Sequence, residues 1–122
     1  MKIDLTPCNV VVFVFGMPEC PACENYIPRF VAAVAARQAK REPFIVCEDG
    51  DAEPQLQPGL VPVVFLDVAT DDKTIQDLAD RLHVSGTPAT VVMTRGAGSA
   101  RFEGALPGGN IEQILDMALE RR

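Results

Sequence analysis

Two cysteines that lie two residues apart are the clearest chemical feature of the sequence. Cys20 and Cys23 stand in the stretch GMPECPACENYIPRF, with an apolar run before them and an amphipathic run after them. Such a pair can form half of a metal site, a static disulfide, or a dithiol that exchanges disulfides with another molecule. The residues around the pair are needed to decide among these three chemistries.

The place of the pair, between a predicted strand and a predicted helix, favours disulfide exchange. Unpaired backbone N–H groups and the positive end of the helix dipole stabilise a thiolate at the first turn, and the thiolate is the nucleophile. Pro21 suits the first position of a helix. We therefore expect Cys20 to be the exposed, attacking sulfur, and Cys23 to attack Cys20 in a second step.

The other cysteines and the single histidine do not complete a metal site in the sequence. A structural zinc site usually takes a second close pair of cysteine or histidine ligands, whereas Cys8, Cys47 and His83 each stand alone. We expect Cys8 and Cys47 to be small buried side chains, with a second disulfide between them as the alternative. His83 is expected to be structural, and neither a metal nor a cofactor is expected.

Length and composition predict a single domain over residues 1–122. A chain of 122 residues can bury its own core, and its 48% of hydrophobic residues excludes a disordered chain. The net charge of -6 argues against nucleic acid or an anionic membrane as a partner. Val10–Gly16 is too short to span a bilayer and lacks the flanks of a signal peptide. If Met1 is the natural start, we expect a cytoplasmic monomer.

Strands and helices alternate in the prediction, which indicates an α/β fold. Strands are predicted at Val10–Phe15, Val63–Val68, Ala89–Thr94 and Ala100–Glu103, and helices from about Pro21 to Lys40, Lys73 to His83 and Ile111 to Arg122. Residues 42–60 are acidic and rich in proline and glycine, so we predict an irregular insertion in which only FIVC could form a short edge strand. Asn110 is the predicted N-cap of the last helix.

A proline at the start of an apolar strand is a second unusual feature. Pro88 opens the strand in VSGTPATVVM, where it removes a hydrogen bond of the sheet. With this segment the sequence resembles the thioredoxin superfamily. VVVFVFGMPECPACENYIPRF is similar to the active-site strand, loop and helix of that superfamily, VSGTPATVVM to its cis-proline strand, and RFEGALPGGNIEQILDMAL to its closing strand and helix.

The resemblance implies a three-layer α/β fold with a mixed central sheet of four or five strands flanked by helices. It also implies that Thr87-Pro88 is a cis dipeptide facing the CPAC motif, and that Thr87, Pro88, Pro21 and Glu19 contact the substrate. The implied activity is that of a thiol–disulfide oxidoreductase acting on protein or small-molecule disulfides. Its implied partners are protein disulfides and a reductase or dithiol donor.

Several positions depart from the thioredoxin pattern. Glu19 stands where thioredoxins have tryptophan, Pro21-Ala22 replaces glycine-proline, and Val14 occupies the position of a buried acid. The usual extra N-terminal strand–helix pair is largely missing, and the side chains of a glutathione pocket are not evident. The chain is interpreted as a divergent member. The alternatives to catalysis are a non-catalytic protein-binding module and a glutaredoxin-like protein that binds a metal or cluster through Cys20 across a dimer.

Two of these departures carry chemical expectations. The negative charge of Glu19 disfavours a thiolate on Cys20, but we expect the helix terminus to outweigh an exposed side chain that water screens. Val14 offers no proton acceptor to Cys23. The second step is therefore expected to be slow unless water or another group takes that proton.

Overall fold

The computed structural model of the chain describes residues 4–48 and 56–122. The strands are β1 (Val10–Gly16), β2 (Phe44–Glu48), β3 (Val61–Asp67), β4 (Ala89–Thr94) and β5 (Gly98–Glu103), and the helices are α1 (Pro21–Ala39), α2 (Lys73–Arg81) and α3 (Gly108–Arg121). One mixed sheet has the strand order β2-β3-β1-β4-β5. The predicted α/β fold with helices on both faces of the sheet is confirmed. No helix in the described ranges has both the length and the hydropathy to cross a membrane.

Strand β1 occupies the centre of the sheet because its side chains are apolar on both faces. It runs parallel to β3 and antiparallel to β4. Its even-numbered valines, Val10 to Val14, pack with α1 and α3, whereas Val11, Phe13 and Phe15 pack with α2 on the opposite face. Burial on both faces is typical of a strand at the centre of a sheet that is covered by helices on both sides. This packing fixes the position of the C-terminal end of β1 relative to α1.

Helix α1 is held to the sheet by a stripe of large side chains. Tyr26, Phe30 and Val34 are fully buried, and their spacing of four residues places them on one face of the helix. The ring of Phe30 meets that of Phe65 edge to face at 6.1 Å. Tyr26 and Phe30 are therefore core residues, and their packing fixes the orientation of the first turn of α1.

The last turn of α1 is joined to α3 by a buried guanidinium group. Arg37 is 7% exposed. Its nitrogens lie 2.6 Å from the carboxylate of Glu112, 2.8 Å from that of Asp116 and 2.9 Å from that of Glu42. These ion pairs tie α1 to α3 and to the connection that leads into β2, and they compensate for the removal of the Arg37 charge from water.

The segment predicted as an irregular insertion contains a strand. FIVC and the following Glu48 form β2, which pairs in parallel with β3 and is the edge strand of the sheet. The prediction of a short edge strand at FIVC is confirmed. Of the remainder of residues 42–60, residues 49–55 lie outside the described ranges.

Two helix ends differ from the sequence prediction. Helix α2 ends at Arg81 rather than His83, because His83 adopts a positive φ of 58° that cannot continue a helix. Helix α3 begins at Gly108, so the prediction of Asn110 as its N-cap is wrong. Pro107 takes the N-cap position with a φ of -59°, an angle that proline holds without cost, and its carbonyl accepts a hydrogen bond from the Asn110 N–H at 2.9 Å.

Candidate active site

Cys20 and Cys23 sit at the N-terminus of α1, where the sequence predicts them. Cys20 is the N-cap residue, with extended backbone angles, and Pro21 is the first residue of the helix. The two cysteines are joined in a disulfide, with their Cα atoms 5.2 Å apart. The backbone N–H of Cys23 points at the Sγ atom of Cys20 at 3.2 Å. A helix N–H and the positive end of the helix dipole therefore both act on the Cys20 sulfur.

The two sulfurs differ in their access to solvent. Cys20 is half-buried, whereas Cys23 is 3% exposed. Beneath Cys23 lies Gly16, the last residue of β1. A Cβ atom on Gly16 would fall 2.5 Å from the Cδ1 atom of Ile27 and 3.8 Å from the Sγ atom of Cys23. A side chain at this position would have to displace the end of the Ile27 side chain, and its absence lets β1 approach the second cysteine closely. The sequence analysis missed this residue.

The loop before β4 brings Thr87 against the first cysteine. The Thr87 carbonyl oxygen lies 3.8 Å from the Cys20 Sγ atom, and the Thr87 hydroxyl donates towards the same sulfur at 3.6 Å. The Thr87-Pro88 peptide bond is cis. Pro88 is buried, and its carbonyl accepts a hydrogen bond from Gly104 N–H at 2.8 Å. Cys23 and Thr87 therefore both contact the Cys20 sulfur.

The surface around the half-buried sulfur is formed by the loop that precedes α1. Glu19 and Pro21, the neighbours of Cys20 in the chain, are both exposed. Glu19 has a positive φ of 58°, which is uncommon for a residue with a Cβ atom. Met17 is 43% exposed and lines, with Val84 and Thr87, a groove of about 280 Å³ beside Thr87. The groove adjoins the Cys20 sulfur through Thr87, and Glu19 precedes Cys20 in the chain.

A second cavity, of about 480 Å³, opens beside Gly16 on the α1 face of the sheet. Its lining includes two carboxylates and four apolar or small residues, namely Glu48, Asp67, Val14, Gly16, Ile27 and Phe65. The sequence analysis did not single out Asp67 or Glu48. Their positions in the sequence could have identified them, because the carboxyl ends of adjacent parallel strands lie at the same end of a sheet.

Val14, which occupies the position of the buried acid of thioredoxins, has an apolar side chain. Val14 has no exposed surface and lies between Phe65 of β3 and Thr90 of β4. The buried hydroxyl of Thr90 is 2.8 Å from that of Tyr26. Burial raises the pKa of the Tyr26 phenol, so the phenol stays protonated and offers no proton acceptor near Val14.

Cys8 and Cys47 are buried thiols, as predicted, and do not form the alternative second disulfide. They are 3% and 2% exposed. The Cys8 sulfur lies 3.6 Å from the carbonyl of Gln57, and burial raises its pKa, with Arg95 opposing that shift. Cys8 lines a cavity of about 520 Å³ that also contacts Asn9 and Thr94, at the end of β1 opposite Cys20. In residues 4–48 and 56–122, no three histidine, cysteine or acidic side chains converge on a metal position.

Solved thioredoxin structures are similar to this fold. Chloroplastic thioredoxin z is 24% identical, with a TM-score of 0.56 over 90% of this chain and 78% of that one. Mitochondrial thioredoxin 3 of Saccharomyces cerevisiae, in its oxidized form, is 19% identical, with a TM-score of 0.57 over 88% and 78%. The germline-specific thioredoxin Deadhead of Drosophila melanogaster is 16% identical, with a TM-score of 0.59 over 89% and 80%. At these identities the similarity concerns the fold.

Comparison of the sequence with a family model identifies the family as well as the fold. No curated protein sequence matches the chain significantly. The model of the thioredoxin-like domain, however, matches residues 8–119, which include the cysteine pair and the Thr87-Pro88 loop. Because this match extends over nearly the whole chain, the protein belongs to the thioredoxin-like domain family.

Proposed function

We propose that this protein is a thiol–disulfide oxidoreductase in which Cys20 and Cys23 form the reactive pair. The observation that supports this most strongly is the contact between two distant parts of the chain at one sulfur. The half-buried Cys20 lies at the N-terminus of α1 and also against the carbonyl and hydroxyl of Thr87. A purely structural disulfide has no need of a sulfur that faces solvent beside hydrogen-bonding groups.

In the first step, the Cys20 thiolate attacks a substrate disulfide. The N–H of Cys23 and the hydroxyl of Thr87 both point at the Cys20 sulfur, and donors of this kind favour the charged form of a thiol. A bond forms between Cys20 and one substrate sulfur. The substrate disulfide breaks, and its other sulfur leaves as a thiolate that takes a proton from water.

The loop that contains Thr87 and Pro88 would position the substrate for this attack. Thr87 is partly exposed and its backbone lies beside the Cys20 sulfur, so an extended substrate segment could dock there as an added strand. The exposed side chains of Glu19, Pro21 and Met17 would border that segment. We propose protein disulfides and a reductase or dithiol donor as its partners, with the chain acting as a monomer.

In the second step, Cys23 resolves the mixed disulfide. Its sulfur is within one helical turn of Cys20, and the two sulfurs are joined in a disulfide at the start of α1. The Cys23 thiolate attacks Cys20, and the bond between Cys20 and the substrate breaks. The substrate leaves with two added electrons and the protein keeps the intramolecular disulfide. The reverse sequence oxidises a substrate dithiol.

A turnover assay with a model protein disulfide and dithiothreitol tests this function. We expect catalysed reduction by the wild type, and loss of catalysis in Cys20→Ser and in Cys23→Ser. Cys8→Ser, which changes a buried thiol at the other end of β1, is the matched control and should keep its activity. Absence of turnover in a folded wild type, with the disulfide intact, would instead support a non-catalytic binding module.

The reduction potential of the Cys20–Cys23 pair decides the direction of exchange. Equilibration with glutathione at several ratios, followed by alkylation and mass measurement, gives this potential. A value near -270 mV, as in thioredoxin, would assign a reductant, whereas a value near -120 mV would assign an oxidant.

A further inference from the structure

The resolving step needs a proton acceptor that the cysteine pair does not contain. Cys23 must lose its proton before it can attack Cys20, because the thiolate is the nucleophile. Cys23 is 3% exposed, and burial disfavours the charged form of a thiol. Val14 and Phe65 are apolar, and the pKa of Tyr26 is raised by burial, so this phenol stays protonated and cannot accept a proton. A carboxylate close to Cys23 would remove this difficulty.

Asp67 is the carboxylate that the sheet register places closest to Cys23. It is the last residue of β3 and the direct partner of Gly16, so its Cα lies about 4.8 Å from that of Gly16. The Sγ atom of Cys23 is 3.8 Å from the position of a Cβ atom on Gly16. Residues alternate between faces along a strand, and Val63 and Phe65 pack on the α1 side. Asp67 therefore starts from the same side as Cys23.

Asp67 is exposed to water, and the cavity that it lines reaches Gly16, beside which the Cys23 sulfur lies. Asp67, Gly16 and Ile27 line the cavity of about 480 Å³ beside α1, which is far larger than a single water requires. The Oδ1 atom of Asp67 accepts a hydrogen bond from the N–H of Ala69 at 2.8 Å. This bond orients the carboxylate and leaves its second oxygen available to accept a proton through water.

We infer that Asp67 is the proton acceptor for Cys23, acting through water in this cavity; the inference rests on the proposed thiol–disulfide exchange. The Cys23 proton passes to the Asp67 carboxylate. The Cys23 thiolate then attacks Cys20, and the departing substrate thiolate takes up a proton from solvent. Asp67 then releases its proton to water, which restores the carboxylate; in the reverse direction, Asp67 takes a proton from water and passes it to Cys23 as the Cys20–Cys23 disulfide is broken.

The charges around the cavity determine whether removal of the Asp67 carboxylate should slow or speed the resolving step. The described lining residues include Glu48 of β2 besides Asp67 and no cation, and Glu19 and Glu24 flank the cysteine pair in the chain. If Asp67 acted only through its field, its removal would favour the Cys23 thiolate and speed the resolving step. If Asp67 accepts the proton, its removal slows that step. The two roles therefore predict opposite changes.

The experiment mixes reduced full-length protein with 5,5'-dithiobis(2-nitrobenzoate) in a stopped-flow instrument. Attack by Cys20 releases the first coloured thiolate, and resolution by Cys23 releases the second. We expect Asp67→Asn, which keeps an oxygen for the Ala69 N–H, to leave the first phase unchanged and to slow the second about tenfold or more at pH 6.5. The loss should shrink as pH rises and vanish near pH 9.5, where hydroxide can take the proton.

Three variants complete the experiment. Glu48→Gln removes the same charge from the same cavity and should leave the second phase within about twofold of wild type. Asp67→Glu keeps a carboxylate and should recover most of the rate. Cys23→Ser should release one equivalent only. An Asp67→Asn second phase that is equal to or faster than that of wild type overturns the inference, as does a loss that is the same at every pH. Absence of the first phase in wild type would instead contradict the proposed function.

Discussion

The hydroxyl of Thr87 lies 3.6 Å from the Sγ atom of Cys20, although the two residues are 67 positions apart in the sequence. A donor at this place stabilises the thiolate, so Thr87→Val should slow the attack of Cys20 on a disulfide about three- to tenfold at pH 7. The first phase of the stopped-flow reaction measures this rate. Thr87→Ser keeps the hydroxyl and should stay close to wild type. Equal rates in the valine and serine variants would show that the hydroxyl contributes nothing.

The difference in burial between the four thiols predicts their order of alkylation. Cys20 is half-buried, whereas Cys8, Cys23 and Cys47 are each at most 3% exposed. Limiting iodoacetamide should therefore modify Cys20 of the reduced protein at least about tenfold faster than any other thiol. Peptide mass spectrometry of the quenched protein gives the order. Preferential labelling of one of the three buried cysteines would contradict the assignment of Cys20 as the attacking residue.

The exposed carboxylate of Glu19 should make thiolate formation at Cys20 less favourable without preventing it. The N–H of Cys23 is in contact with the sulfur, whereas the Glu19 side chain is exposed and its charge is screened by salt. We expect the pH midpoint of thiolate absorbance at 240 nm to lie below the free-thiol value of about 8.5. In Glu19→Gln the midpoint should fall further. Glu120→Gln, with the same charge change in the last turns of α3, should not shift it, and a rise in Glu19→Gln would refute this balance.

A carboxylate at Val14 should speed the resolving step. Val14 lines the same cavity as Asp67, so Val14→Asp would bring a second proton acceptor near Cys23. We expect its second stopped-flow phase to be faster than that of wild type, and the Val14→Asp, Asp67→Asn double variant to recover the rate that Asp67→Asn alone loses. Val14→Asn is the control for the polar substitution in the core and should recover nothing. An unchanged second phase in folded Val14→Asp would show that proton removal does not limit this step.

The ion pairs of Arg37 should stabilise the fold measurably. The guanidinium is 7% exposed and is bound by three carboxylates. Arg37→Met, which keeps the apolar part of the side chain, should lower the free energy of unfolding by about 1–3 kcal/mol in a urea titration. Arg101, whose side chain is 40% exposed beside Glu103, serves as the control, because Arg101→Met should cost at most about 1 kcal/mol. Equal losses in both variants would mean that burial of Arg37 is irrelevant.

The amino-acid sequence by itself determined the elements of this protein and the kind of chemistry they carry. The apolar run of β1 and the proline at the start of β4 are local signals. Each of them could be interpreted without knowing what lies nearby in space. The cysteine pair between a strand and a helix is also local, because both sulfurs lie within one turn of α1. The C-terminal end of α2 and the N-terminal end of α3 were harder to predict from the sequence. Each depends on the backbone angles of one residue, the positive φ of His83 and the φ of Pro107 at the N-cap.

Only the tertiary structure decided which groups surround the sulfurs. Thr87 approaches Cys20 because β4 lies beside β1 in the sheet, and the register of β3 against β1 sets Asp67 opposite Gly16. A shift of that register by one residue would turn Asp67 to the other face of the sheet, yet the apolar pattern of β3 remains almost the same in either case. Strand order and register follow from the packing of the whole core, and a proton acceptor for Cys23 therefore cannot be recognised from the residues near it in the chain.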